Sequence, residues 1–262
     1  YDLWAGGLVG NDTWTSFQYT TIDGGNVPAD EIEQAKMDLD ERTFKQEYCA
    51  EFVTYSGLVY YSFSRELSVA EYDDDGGTLY IGLDFNVDPM SAVVCLRKGE
   101  NIIAVDEIVM YGSNTDEMVE EILQRYPNRH IIIFPDPASR QRKTSAGGRT
   151  DLSILQNAGC ILKMPRSRMS IRDRVNCVNR KVGNAVGIRG VLIDPRCKSL
   201  INSLIRHTYK SGTALPTKDE GWDHLNDSLG YLISFLYPIV KNREQVEPQR
   251  FNFQTGVMNG RL

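Results

Sequence analysis

Residues 78–110 read TLYIGLDFNVDPMSAVVCLRKGENIIAVDEIVM, and this segment indicates how the rest of the chain is arranged. It contains three short apolar runs rich in β-branched residues, Thr78–Phe85, Ser91–Leu96 and Asn101–Met110. Brief polar connections separate the runs, which is typical of strands that pair with their sequence neighbours. The segment therefore predicts a meander of three antiparallel strands.

Beyond the meander, helical and strand patterns alternate to the end of the chain. The run His130–Phe134 is continuously apolar and predicts a buried strand. The helices are predicted at Asn114–Tyr126, Thr150–Ala158, Ser170–Val182, Cys197–Tyr209 and Asp219–Tyr237, and the further strands at Cys160–Met164 and Val191–Ile193. This order predicts an α/β fold with a mixed sheet and helices on both faces. It is the order of the ribonuclease-H-like fold.

The chain divides near the loop that precedes the meander. We expect residues 1–66 to be the end of an upstream domain plus a linker, with a helix over Pro28–Asp40. Residues 67–245 form the main predicted domain, and the polar residues 246–262 form a tail. Since residue 1 is Tyr, we expect the chain to be a piece of a longer protein.

Composition excludes several classes of protein. No apolar run reaches the roughly 18 residues of a membrane span, and the first residues lack the pattern of a signal peptide. The five scattered cysteines argue against disulfides or zinc and are predicted to be structural.

The charge of the chain is unevenly distributed. The formal net charge is −6, yet residues 125–189 carry fourteen Lys and Arg against three Asp. That segment is therefore at +11 and the remainder at −17. This asymmetry fits a protein with one face turned toward DNA, and also a few solvated helical faces.

Two acidic residues stand at the ends of predicted strands. Asp84 lies in the apolar sequence IGLDFN, where a buried acid is costly unless it is paired or binds a metal. Gly82 and Asn86 would leave room for a ligand there. Asp136 follows His130–Phe134 between two prolines, where open α/β sheets place their sites. The alternatives are a salt-bridged strand end for Asp84 and a turn-forming residue for Asp136.

A third acidic group lies in the last predicted helix. Asp223 and Asp227 are four residues apart and share a face, with His224 beside them. Like charges at this spacing repel, so a nearby cation would stabilise them, although an exposed pair at a helix start is the plain alternative. Carboxylates suit Mg²⁺ or Mn²⁺, and two such ions can hydrolyse a phosphodiester. The few histidines argue against a zinc hydrolase.

These motifs resemble the C-terminal nuclease domain of the large terminase subunit of tailed bacteriophages. The resemblance covers roughly residues 79–236. It rests on GLDFN at 82–86 with Pro89, on FPDPA at 134–138 and on DHLNDSLGY at 223–231; FKQEY at 44–48 with EF at 51–52 is similar to the end of the family's ATPase domain.

The resemblance implies a metal-dependent endonuclease that cuts double-stranded DNA during viral genome packaging. It implies Asp84, Asp136 and Asp227 as metal ligands, Asp223 as an auxiliary ligand and His224 as a residue that assists near the metals. It further implies the portal protein and the small terminase subunit as partners, in the host cytoplasm at the procapsid portal vertex. The chain has no phosphate-loop motif, so we expect the ATPase either to lie upstream of Tyr1 or to be absent.

Three rival interpretations remain. A sugar-kinase-like phosphate loop at residues 81–84 lacks the Gly and Thr that should follow the acid. A resolvase, transposase or integrase could share the three acids. A non-catalytic DNA-gripping module would bind phosphates through the basic residues, with little sequence information. The predicted DNA-binding residues are Arg140, Arg142, Lys143, Arg149, Arg166 and Arg168, and Arg172 and Arg174 could extend this surface.

Overall fold

The computed structural model of the chain describes residues 15–52, 56–86, 88–137, 150–165, 169–218 and 220–239. The predicted C-terminal tail and the first fourteen residues lie outside these ranges. Within the ranges, no helix combines the length and apolar character that a bilayer crossing requires.

Six strands form one mixed sheet in the order β5-β4-β1-β2-β3-β6. Their bounds are β1 Leu79–Asp84, β2 Met90–Lys98, β3 Asn101–Met110, β4 Ile131–Pro135, β5 Ile161–Leu162 and β6 Val191–Ile193. β2 pairs antiparallel with β1 and β3, which confirms the meander. β4 pairs parallel with β1, β5 with β4, and β6 with β3. The predicted ribonuclease-H-like, α/β architecture is thus the observed one.

Nine helices are described in the same ranges. They are α1 Thr21–Gly24, α2 Ala29–Asp38, α3 Glu41–Tyr48, α4 Arg65–Ser68, α5 Thr115–Arg125, α6 Asp151–Asn157, α7 Ile171–Val182, α8 Lys198–Arg206 and α9 Asp223–Leu236. Several begin at caps that the sequence supplies. Asn114 caps α5 in a reciprocal arrangement with Glu117, and the Ser170 hydroxyl accepts a hydrogen bond from the Asp173 backbone N–H of α7.

Two predicted helices are shorter than expected. The prediction that one runs through Tyr209 is wrong, because α8 ends at Arg206 and the chain turns into a hairpin in which Tyr209 bridges Pro216. The prediction that the last helix begins at Asp219 is also wrong. Gly221 has a positive φ of 71°, a left-handed conformation that cannot continue a helix, so α9 begins at Asp223.

Apolar side chains on the two faces of the sheet form two separate cores. On one face Val93 and Cys95 of β2 belong to a core that includes buried residues of α7, α8 and α9. On the other face Ala92 and Val94 of the same strand pack with residues of α5 and with Leu155 of α6. Because successive strand residues point to opposite faces, this alternation places helices on both sides of the sheet.

Gly82 marks the contact between α9 and the sheet. A Cβ atom at this position would lie 1.9 Å from the backbone oxygen of Ser228, so only glycine allows α9 to approach β1 this closely. The Ser228 hydroxyl in turn donates to the backbone oxygen of Ser91 at 2.8 Å. The expectation that Gly82 leaves room for a ligand is therefore corrected, since the space is taken by the helix.

The segment before the predicted domain boundary contributes to the main core. Val59 and Tyr60 are buried in the core that α7, α8 and α9 share. Asn179 of α7 donates to the Val59 backbone oxygen at 2.8 Å. Residues 56–63 thus pack with the main domain, while the boundary at residue 66 and the role of the preceding residues stay predictions.

Candidate metal centre

Asp84 and Asp136 lie at the carboxyl ends of two neighbouring parallel strands. Asp84 is the last residue of β1, and Asp136 directly follows β4. The last pair of the β1–β4 register is Leu83 with Pro135, and the Asp136 backbone N–H donates to the Leu83 oxygen at 3.0 Å. Asp84 is 9% exposed. The two carboxylates that the sequence singled out therefore stand side by side where their strands end.

Helix α9 brings two more carboxylates toward the same strand ends. Asp223 and Asp227 are one turn apart at its N-terminal end, and Asp223 is buried. Burial disfavours the charged form of Asp84 and raises its pKa. A hydrogen bond from His224 lowers this pKa, and the negative charges of Asp227 and Asp136 raise it. Asp84, Asp136 and Asp227 are thus close enough to interact electrostatically.

His224 connects the strand acid to the helix acid. Its Nδ1 lies 3.1 Å from Oδ2 of Asp84, and its Nε2 lies 3.6 Å from Oδ1 of Asp223. The pKa of His224 is raised mainly by the hydrogen bond to Asp84, and the negative charges of Asp223, Asp84 and Asp227 raise it further. Burial of the ring lowers this pKa and so opposes them. The imidazole is therefore favoured in its charged form between two carboxylates.

Arg174 of α7 occupies a position that the sequence did not predict correctly. It was expected to extend the basic surface, yet it is buried and its Nη2 lies 2.6 Å from Oδ1 of Asp227. Its guanidinium stacks on the Tyr231 ring at 4.6 Å, and a Cβ at Gly230 would approach its side chain to 3.0 Å. The sequence signal was its place among the apolar residues Ile171, Val175 and Val178 of the α7 core face.

The donor set suits a hard divalent cation, although the side chains do not form a finished cage. Among the described residues no group of three or more His, Cys, Asp or Glu is arranged to hold a metal ion. One oxygen of Asp227 is engaged by Arg174. However, Oδ1 of Asp223 is buried without a hydrogen-bond partner, and carboxylate oxygens are the ligands that Mg²⁺ and Mn²⁺ use. The chemistry therefore fits such an ion, with a local adjustment of Asp227.

The residues predicted to bind DNA fall outside the part of the chain that the structure describes. They are Arg140, Arg142, Lys143, Arg149, Arg166 and Arg168. Arg172 is exposed on α7, whereas Arg174 faces inward. The predicted basic surface therefore stays a prediction apart from its correction at Arg174.

Comparison with solved structures identifies proteins of the same fold. The large terminase of a thermophilic bacteriophage, in complex with ATP-gamma-S, is similar with a TM-score of 0.65 at 14% identity, over 85% of this chain and 56% of that one. A second crystal form of the same terminase gives a TM-score of 0.63 at 15% identity, over 84% and 54%. The chain thus spans about half the length of that terminase.

The isolated nuclease domain of the P22 large terminase is also similar. Its TM-score is 0.53 at 11% identity, over 69% of this chain and 93% of that domain. At such identities the likeness establishes the fold, which is that of terminase nuclease domains. No protein-family model matches the chain, and no curated protein matches it in sequence.

Proposed function

We propose that the chain is a divalent-metal-dependent endonuclease that cuts double-stranded DNA. The observation that carries the proposal is that Asp84 and Asp136 end neighbouring parallel strands, and that Asp227 of α9 lies near enough for its charge to act on Asp84. Asp84 is buried close to these negative charges, and a buried carboxylate in such a position is costly unless a cation compensates it. In this proposal the three acids are the metal ligands, Asp223 is an auxiliary ligand, and Mg²⁺ or Mn²⁺ is the cofactor.

Two bound ions would lower the pKa of the attacking water and neutralise charge on the phosphate. The residues of the chain prepare this chemistry by orienting the ligands. His224 donates to Asp84 and fixes one of its oxygens. Arg174 holds one oxygen of Asp227. Such outer partners fix the direction of ligating oxygens. Asp84 would thus be oriented before an ion binds, whereas Asp227 would adjust as the ion enters.

The biological setting is proposed on the likeness of fold alone. Large terminases share this architecture, so we propose a role in viral DNA packaging, in the host cytoplasm at the portal vertex. The portal protein and the small terminase subunit would be the partners in that setting. The use of two ions rather than one belongs to the same proposal.

A non-catalytic DNA-gripping module is the second candidate. Two observations favour it. Arg174 already pairs with Asp227, and among the described residues no group of three or more His, Cys, Asp or Glu is arranged to hold a metal ion. In that case the acids would be a structural ion-pair network, and DNA would bind without being cut. Divalent-metal-dependent cleavage separates the two candidates.

The test is plasmid cleavage in EDTA, Mg²⁺ and Mn²⁺ by the wild type, Asp84→Asn and Asp136→Asn. A matched control is Asp194→Asn, because Asp194 is a buried aspartate that follows β6 and pairs with Arg196. Circular dichroism first confirms that each variant is folded.

The proposal predicts cutting by the wild type and the control with metal alone. In the two site variants it predicts a loss beyond the roughly 10–100-fold that removal of an outer partner costs. No cutting by the wild type in either metal, or equal cutting by all variants, would favour the gripping module.

A further inference from the structure

A cavity of about 290 Å³ lies beside the carboxylates, on the side of α9 that faces α7. One wall is Ile171 and Arg174 of α7, and the second is Asp223 and Asp227 of α9. The third wall belongs to the segment 207–218, which we call the 207–218 hairpin. The cavity therefore adjoins the proposed metal centre and shares two of its residues.

The 207–218 hairpin is held firmly against α9. The Lys210 backbone N–H donates to the Leu215 oxygen at 2.8 Å, and Thr217 donates to Thr208 at 2.9 Å. His207 is buried, and its Nε2 donates to the Thr217 oxygen at 2.8 Å while Nδ1 accepts from Asn226 of α9 at 3.2 Å. Because both ring nitrogens are used in this way, the imidazole is neutral and fixed. The hairpin wall is thus part of the fold.

Asp223, which lines the cavity, carries a buried acceptor that lacks a hydrogen-bond donor. Oδ1 of Asp223 has no hydrogen-bond partner among the described residues, and Asp223 is 6% exposed. The His224 Nε2 at 3.6 Å is beyond hydrogen-bond range. Buried polar atoms are seldom left unpaired, because the loss of hydration is not repaid. A ligand in the cavity that brings an N–H donor to the Asp223 carboxylate would supply the missing hydrogen bond.

The remaining walls indicate the shape and charge of that ligand. Ile171, Leu215 and Pro216 give apolar surfaces suited to the face of a ring. Lys210 and Lys218 are exposed and line the same cavity, so they form a cationic rim. The volume is at the small end of the roughly 300–1,000 Å³ of ligand pockets, enough for one ring system and too small for duplex.

We propose that this cavity binds one unpaired nucleotide of the DNA strand next to the metal centre. The base would lie between the apolar walls with an amino group donating to one oxygen of Asp223, which leaves the other oxygen for the auxiliary metal role. Lys210 and Lys218 would contact flanking phosphates. Carboxylates accept such bonds from the amino groups of bases, and stacked pockets hold bases that leave the duplex. This proposal rests on the proposed function, because it takes DNA as the ligand of the adjoining site.

The experiment measures DNA binding by fluorescence anisotropy in EDTA, so that no cutting occurs. Three DNA duplexes of otherwise identical sequence are compared. The first is fully paired, the second contains a single unpaired cytosine, and the third contains an abasic analogue in place of that cytosine. The expected result is that the wild type binds the unpaired cytosine about tenfold more tightly than the abasic duplex, a typical gain for one stacked base. Equal affinities for the two would overturn the proposal.

Variants locate the binding to the cavity. Leu215→Ser and Asp223→Asn are expected to reduce the preference to below about threefold, since each removes one contact to the base. Leu67→Ser is the matched control, because Leu67 is an exposed leucine on α4 that does not line the cavity, and it should keep the full preference. Retention of the preference in both cavity variants would overturn the assignment to this site.

Two further arms identify the source of the nucleotide and separate the proposals. Lys210→Ala and Lys218→Ala should weaken all three duplexes equally, as phosphate contacts do. Free deoxycytidine monophosphate should compete weakly; binding as tight as that of the duplex would overturn the DNA-strand assignment. Plasmid cleavage in Mg²⁺ without a preference for the unpaired base would support the nuclease proposal and overturn the nucleotide-binding proposal. A preference for the unpaired base without plasmid cleavage would support nucleotide binding and contradict the nuclease proposal.

Discussion

Arg174 and Asp227 form a buried ion pair across α7 and α9, with Nη2 2.6 Å from Oδ1. The side chains are 7% and 20% exposed, so water screens this pair weakly. Burial lowers the pKa of Arg174, but the charge of Asp227, the nearby Tyr231 and Tyr60 and the hydrogen bond to Asp227 together raise it above its ordinary value. Arg174 is therefore the cation that balances Asp227 when no metal ion does.

Removal of this cation should be costly. We expect Arg174→Gln to lower the free energy of unfolding by about 3 kcal/mol in EDTA, because it leaves an uncompensated carboxylate. Urea unfolding measures the change. Lys45→Gln is the control, since the Lys45–Glu41 pair is exposed and should contribute below about 1 kcal/mol. Equal losses in the two variants would contradict the role assigned to Arg174.

Gly82 should be irreplaceable, because α9 lies directly against it. We expect Gly82→Ala to lose about 3 kcal/mol or more of stability, since its Cβ would overlap the Ser228 oxygen and must displace the helix. Gly24→Ala is the matched control, as no atom lies within 4 Å of its added Cβ and its φ is not left-handed. Thermal unfolding followed by circular dichroism compares them, and a Gly82→Ala protein as stable as the control would be the contrary result.

Stability should depend on pH through His207. Burial lowers the pKa of His207 below its ordinary value of about 6.5, so the folded protein binds this proton less readily than the unfolded chain. The contribution of His207 is present above that value and is lost as the pH falls through the lowered pKa. We expect the unfolding free energy to fall as the pH decreases from about 7 through the ordinary histidine pKa of about 6.5 and below it.

The His207→Gln variant isolates this contribution, because its amide can still donate to Thr217 and accept from Asn226. The difference in unfolding free energy between wild type and variant should shrink as the pH falls. His224 acts in the opposite direction in both proteins, since its pKa is raised, and cancels in the comparison. A constant difference across this range would show that His207 is not the responsible group.

Thiol reactivity should follow burial. Cys95, Cys160, Cys177 and Cys197 are buried, and burial raises the pKa of each of these thiols. Cys49 is partly exposed. We expect a thiol reagent to modify Cys49 rapidly in the native protein and all five cysteines in denaturant. Rapid native reaction of Cys95 would contradict the described core.

Local patterns were sufficient to predict the sheet and most of its helices. The apolar runs of β1, β2 and β3 gave the meander, and the acids after β1 and β4 were placed at strand ends because a charge is costly inside an apolar run. The predicted boundaries were wrong at α8 and α9. The 207–218 hairpin follows α8 and is linked to Asn226 of α9 through His207, a long-range contact that the local sequence does not reveal. Gly221, with its left-handed φ, precedes α9.

Long-range packing accounts for the features of the site that the sequence did not predict. Gly82 looked like an opening for a ligand, because the approach of Ser228 from a distant helix cannot be read from its neighbours. Arg174 looked like part of a basic surface, although its position on the apolar face of α7 indicated burial. The cavity lies between α7, α9 and the 207–218 hairpin, which are separate in sequence, so no single motif predicts it.

The most direct test of the metal centre is calorimetric titration of the metal-free protein with Mn²⁺. The account predicts saturable binding by the wild type and by Asp194→Asn, and affinity about tenfold or more weaker in Asp84→Asn and Asp136→Asn. No binding by the wild type, or equal binding by all four proteins, would contradict the claim that these carboxylates form a metal centre.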